Sequence, residues 1–304
     1  MKGKIKMKSI RIIAGDGVGG QIEAFQCAYH VKRAGDFIEI LSCSRDEVFQ
    51  PLKYFFGDMF PIVQTREDYQ NQIVSDNNLF NELKGDYNEC YLCWPDLVFQ
   101  HLKSFDYKKY NVSIKTIKNT KLLLDKRKPA EKLIYLGLLS NTDHYSYQYI
   151  SQLAVKLATI LPDYLIYLPI LTEWAGKKIP EIKFDFVPNN LFIHENPDFI
   201  KSLEYLEKSI YCVCTDNGIM HCCFQYGIDR LILDPRWGNG KNAIPWQARW
   251  RSTMEDSISI DNFPNDIVRL VKTNLDVPQT TILSRNFVLN NLNSNWASEL
   301  FFKY

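Results

Sequence analysis

Twice in this chain a short apolar run leads through a polar or glycine-bearing loop into an amphipathic stretch and out into a second apolar run, and that order dictates the class of fold. The first instance is SIRIIA at 9–14, the turn GDGVGG, the helical stretch QIEAFQCAYHVKRAG closed by Gly35, and the strand FIEILSC. Parallel strands need a crossover long enough to return the chain to the same edge, and a helix is the usual crossover, so this is a βαβ unit. The pattern returns after residue 132. LIYLGLLS reads as a buried strand, NTDHYSY as a polar loop, QYISQLAVKLATILP as an amphipathic helix ended by Pro162, and DYLIYLPIL as the next strand. Further on, FIKSLEYLEKS predicts a helix, IYCVCT a strand, DNGIMHCCFQYGI a loop running into a helix, and RLILDP another strand.

The expected fold class is therefore α/β, with two Rossmann-like domains facing a cleft. A chain of 304 residues suits two domains of ordinary size. The stretch from 45 to 128 carries aromatic-rich pieces such as YFFGDMFP and CYLCWPDLVFQHL without a regular period, and the charged run DKRKPAEK at 125–132 is the expected linker. The expected layout is one domain at 1–128, a second at 129–285, and a closing segment at 286–304, NSNWASELFFKY included, that packs back on the first.

Composition removes several classes. A hydrophobic share of 46% with 23% charged residues excludes disordered, collagen-like and coiled-coil chains. With 36 Lys and Arg against 35 Asp and Glu, no global field draws polyanions, so nucleic acid is not an expected partner. Eight cysteines are too sparse for a disulfide scaffold and no apolar signal core follows the basic start, which points to the cytoplasm. No stretch is apolar enough to span a membrane, while Lys2, Lys4, Lys6 and Lys8 supply the charge for peripheral contact with an anionic inner-membrane surface. The pairs Cys90/Cys93 and Cys222/Cys223 lack the spacing of a four-ligand zinc site and are expected to be buried thiols; neither a metal nor a cofactor is expected.

Two loops carry chemistry. Gly15, Gly17 and Gly20 match G-x-G-x-x-G after a strand and before a helix, where glycines allow a tight turn and close approach of a phosphate to the helix N-terminus. A dinucleotide site also needs an acidic residue at the end of the second strand, where IEILSCS has Ser42, Cys43 and Ser44. The second loop is Cys214-Thr215-Asp216-Asn217-Gly218-Ile219-Met220-His221. Asp216 or Asn217 is placed to cap the coming helix, Gly218 to admit a ligand to its N–H groups, and His221 lies about one turn in. After the last strand, PRWGNGKNAIPWQARWR interleaves aromatics with Arg236, Lys241, Arg249 and Arg251, a composition suited to neutralising a diphosphate and stacking on a ring.

From about 132 to 236 the order of these pieces resembles the nucleotide-sugar-binding domain of the bacterial lipopolysaccharide heptosyltransferases, the ADP-heptose transferase family, which have GT-B architecture. The resemblance rests on LIYLGLLSNTDHYSYQYISQLAVKL and on NLFIHENPDFIKSLEYLEKSIYCVCTDNGIMHCCFQYGIDRLILDP, whose Thr-Asp-x-Gly-x-x-His stands where the family receives the nucleotide diphosphate. It implies a donor site of Thr215, Asp216, Gly218 and His221, with Ser140, Asn141, Thr142 and His144 from the loop after the domain's first strand. Asn217, Gly17, Gly19, Arg236 and Lys241 complete the expected donor-binding set. It further implies an inverting, metal-independent transfer to the hydroxyl of a glycan or glycolipid acceptor held by the N-terminal domain. In the family the first loop reads Gly-x-Gly-Asp and supplies the base; here that aspartate is replaced by Gly20, leaving Asp16 and Glu23 as the nearby carboxylates. Two other readings stand beside this one: an NAD(P)-dependent oxidoreductase using the Gly15–Gly20 turn, and a nucleotide-sugar-binding protein without catalysis.

Overall fold

The computed structural model describes residues 7–14, 17–42, 46–65, 85–93, 121–139, 147–174, 177–179, 181–215, 217–234, 257–259, 265–276 and 281–284. The chain divides into two compact units, the first running to Thr120 and the second opening at Lys121.

In the first unit β1 (Ser9–Ala14), α1 (Gly17–Val31), β2 (Phe37–Ser42), α2 (Asp46–Phe56), β3 (Ile62–Gln64) and β4 (Glu89–Cys93) follow one another. Their strands form a four-stranded sheet in the order β3-β2-β1-β4, parallel at every pairing. Ile10, Ile12, Ile13 and Ala14 of β1 are buried, and α1 turns Ile22, Phe25 and Ala28 inward. Phe25 stacks on Phe56 of α2 at 4.2 Å between ring centroids, which fixes the two helices together. The structure starts α1 at Gly17, inside the glycine turn and ahead of the Gln21 that the sequence suggests. Gly17 is left-handed (φ 80), and Val18 to Gly20 are already helical. α2 occupies part of the stretch that showed no period, with Pro51 inside it.

The second unit contains β5 (Glu131–Gly137), α3 (Tyr147–Ile160), β6 (Leu165–Ile170), the two-residue strands β7 (Glu173–Trp174) and β8 (Lys177–Lys178), β9 (Leu191–Glu195), α4 (Phe199–Lys208), β10 (Ser209–Thr215), α5 (Gly218–Tyr226), β11 (Arg230–Asp234), β12 (Ser257–Ser259), α6 (Asn265–Asp276) and β13 (Thr281–Ser284). Seven strands form a parallel sheet in the order β12-β13-β11-β10-β5-β6-β9. The main core is Ile134 and Leu136 of β5, Ile166 and Leu168 of β6, Leu153 and Leu157 of α3, and Ile267 and Val271 of α6. Tyr135, between two of those residues and so on the opposite face, shares a hydrogen bond with Ser202 of α4. Helices therefore cover both faces, as an all-parallel sheet requires.

The charged run expected to link the halves is tied to the second unit. Leu123 is buried, the Leu122 N–H donates to Gln225 Oε1 at 2.8 Å, Arg127 Nη1 donates to the Gly227 carbonyl at 2.9 Å, and Lys128 pairs with Glu207 at 3.2 Å. The closing segment at 286–304 lies outside the described residues. No helix among the described residues is long and apolar enough to cross a membrane.

Candidate functional site

Strand order locates the site. From β5 the chain steps outward to β6 and β9, then returns through α4 to place β10 on the other side of β5. The gap beyond the carboxyl ends of β5 and β10 is the topological switch point, where ligands of open parallel sheets bind. β5 ends at Gly137 and β10 at Thr215, and the second of the two sequence motifs sits directly on that edge.

α5 begins here with a built N-terminus. Asn217 is extended (φ −148, ψ −177), and its Oδ1 accepts from the N–H groups of Ile219 at 3.0 Å and Met220 at 3.2 Å. That is an N-cap, and it decides between the two capping candidates of the sequence. The Asn217 Nδ2 donates to the carbonyls of Gly137 and Leu139, both at 2.8 Å, and to Thr215 Oγ1 at 3.1 Å. Gly218 is the first residue of the helix, and the left-handed Gly227 (φ 67) closes it. The helix dipole leaves partial positive charge at the end that faces the switch point, suited to a phosphate.

Gly137 was not singled out by sequence. A Cβ there would come within 2.8 Å of Ile219 Cγ2, so the start of α5 packs against β5 only because position 137 has no side chain. The one available signal was a glycine ending a buried strand just before a polar loop. Asn196 was missed in the same way. It is left-handed (φ 47), its side chain accepts from the Thr172 N–H at 2.9 Å, and its own N–H reaches the Ile170 carbonyl at 2.7 Å, tying β6 to β9 on the same edge.

Thr215 and His221 are buried against this edge, and Gly218 is half-buried. Gly17 and Gly19 belong to the first turn of α1 in the first unit, and Glu23 falls further along that helix. Asp16, Ser140, Asn141, Thr142, His144, Asp216, Arg236 and Lys241 lie outside the described residues, as do Gly15, Arg249 and Arg251. Cys212, Cys214, Cys222 and Cys223 are free, buried thiols around β10 and α5. Burial pushes the Cys212, Cys214 and Cys222 thiols well above the ordinary range, which makes them neutral packing groups.

No family model matches the chain, and no curated protein does. Among solved structures the chain is similar to E. coli heptosyltransferase WaaC with ADP-2-deoxy-2-fluoro heptose, at 11% identity and a TM-score of 0.45 over 74% of this chain and 88% of that one. It is similar to a glycosyl transferase family 9 structure from Veillonella parvula, at 10% identity and a TM-score of 0.47 over 90% and 93%. It is also similar to the spinosyn forosaminyltransferase SpnP, at 10% identity and a TM-score of 0.49 over 90% and 91%.

Proposed function

We propose that this chain is a glycosyltransferase that moves a sugar from a nucleotide-sugar donor to the hydroxyl of a glycan or glycolipid acceptor, with inversion and without a metal. The observation that carries the donor half of the reading is the capped N-terminus of α5 at the β5/β10 switch point, packed onto β5 through Gly137. The identity of the reaction comes from the sequence resemblance, whose Thr-Asp-x-Gly-x-x-His motif is the residue run at that point.

On this reading the second unit binds the donor and the first the acceptor. Gly218, at the positive end of the α5 dipole, receives the diphosphate, with Thr215, Asp216 and His221 beside it, Ser140, Asn141, Thr142 and His144 on the loop after β5, and Arg236 and Lys241 adding positive charge. Charge growing on the departing diphosphate is stabilised by the fixed dipoles of the helix end, the form of electrostatic help that needs no reorganisation during the reaction. Asp16 or Glu23 takes the acceptor proton as the new glycosidic bond forms and the bond from the anomeric carbon to the diphosphate oxygen breaks. A peripheral contact of the N-terminal lysines with an inner-membrane surface would bring a glycolipid acceptor to the first unit.

The oxidoreductase reading is weaker because β2 ends on buried Ser42, where a ribose-binding carboxylate is needed. A thermal-shift panel of ADP, GDP, UDP, CMP, their sugars, NAD and NADP tests the proposal. A ligand at a hundred times its dissociation constant adds about 2.7 kcal/mol, so one nucleoside diphosphate should stand out. A response to NAD or NADP alone would overturn it. Donor binding without turnover on any glycan acceptor would reduce the protein to a nucleotide-sugar binder.

A further inference from the structure

The two runs assigned to the donor, the loop after β5 and the turn before α5, are joined through the side chain of Asn217. Asn217 Nδ2 has two hydrogens, and three protein oxygens surround it: the Gly137 and Leu139 carbonyls at 2.8 Å and Thr215 Oγ1 at 3.1 Å. Its Oδ1 has two lone pairs, and the N–H groups of Ile219 and Met220 take both. The amide has no hydrogen-bonding capacity left for a ligand. Gly137 completes the junction from the other strand, since a methyl group there would meet Ile219 Cγ2 at 2.8 Å.

We infer that Asn217 is a positioning residue: it holds the N-terminus of α5 and the start of the loop after β5 in one arrangement, and it touches no substrate itself. The inference rests on the donor reading above. It separates Asn217 from its neighbours in the motif, which that reading places against the diphosphate.

The test pairs two substitutions. Asn217→Ser keeps an oxygen that caps α5 but removes the donor that reaches Gly137 and Leu139. Asn190→Ser is the control, because Asn190 Nδ2 makes a similar set of bonds, to the carbonyls of Ala158 at 2.9 Å, Leu161 at 3.1 Å and Tyr164 at 2.9 Å, at the opposite ends of the strands. Both variants should melt at lower temperature. In calorimetric titrations of the full chain with ADP, GDP and UDP, Asn217→Ser should weaken the binding nucleotide by roughly tenfold, while Asn190→Ser stays within about twofold of wild type. Gly137→Ala should weaken binding too, and adding Ile219→Ala should recover part of the loss by removing the Cγ2 that the new methyl meets, while the Cβ at 3.0 Å remains.

Wild-type affinity in Asn217→Ser, or equal loss in both serine variants, overturns the inference. If the wild type takes none of the three nucleotides, the donor reading fails, and amide exchange then judges the positioning role alone. Faster exchange at Leu138 and Leu139 in Asn217→Ser but not in Asn190→Ser supports it; unchanged exchange overturns it.

Discussion

The β1–α1 junction of the first unit and the β10–α5 junction of the second use the same device, a glycine at the start of a helix that leaves a parallel strand, and they are built to different tolerances. The first has Gly15, Gly17, Gly19 and Gly20 within six residues, the richer signature by sequence. Yet among the described residues nothing lies within 4 Å of where a Cβ on Gly17 would stand, and residues 17–20 are all half-buried. The second has one glycine in its turn, and around it Thr215, Met220 and His221 are buried and Asn217 is hydrogen-bonded in five directions. Glycine count reports backbone freedom, and a tight ligand site needs the opposite, a backbone that cannot move.

The largest expected effect comes from removing what pins the second junction. Asn217→Ala deletes an N-cap and leaves two buried-edge carbonyls without their donor, so it should cost about 3 kcal/mol in denaturant unfolding of the full chain. A loss under about 1 kcal/mol would mean that water replaces the amide and that the two junctions are equally loose. Gly137→Ala comes next, at about 2 kcal/mol, the usual range for forcing a methyl group into a packed contact. Ile219 is β-branched on a helix and has little rotamer freedom with which to give way, so α5 itself must shift. The same denaturation series measures it, and a neutral result would show that α5 is not tightly seated on β5.

How much of this was legible follows from the range of each interaction. The strands β1, β2, β5, β6, β10 and β11 and the helices α1, α3, α4 and α5 could be read because each is a local run of one period. β9 was missed: LFIHE mixes exposed and buried positions at the edge of the sheet, and among the described residues the crossover from β6 to it contains only the short pair β7 and β8. α6 was missed because its stripe of Ile267, Val268 and Val271 is brief and surrounded by polar residues. Thr215, Gly218 and His221 were visible as a motif. The tie between Asn217 and Gly137 was not, because it spans 80 residues and depends on a strand order that no local pattern encodes.

The far end of α5 extends the comparison. Gly227 is left-handed, and a Cβ there would meet Leu124 Cδ1 at 3.0 Å, while Arg127 donates to its carbonyl from the charged segment. Gly227→Ala should cost about 1.5 kcal/mol, mostly from the left-handed backbone, because the exposed Leu124 can move aside. Adding Arg127→Ala should cost less than the sum of the two single effects if the guanidinium already loses its alignment when position 227 shifts. Strict additivity in a double-mutant cycle would show that the segment and the helix end are independent.

The smallest effect belongs to the first junction, and it is the one that separates the two readings of the glycine turn. Gly17→Ala meets no steric contact among the described residues, so its cost is that of holding alanine at φ 80, about 1 kcal/mol. If the turn were a dinucleotide cradle, the added methyl would stand where the backbone must approach a pyrophosphate, and affinity for that ligand would fall far more than stability. If the diphosphate is held by α5 in the second unit alone, donor affinity stays at the wild-type value, Gly17 leaves the donor-binding set that the sequence suggests, and any loss appears only in turnover. Measuring nucleotide affinity and unfolding free energy on the same Gly17→Ala sample settles which: a drop in affinity of tenfold or more, beside a stability change of about 1 kcal/mol, would move the phosphate site from the second junction to the first.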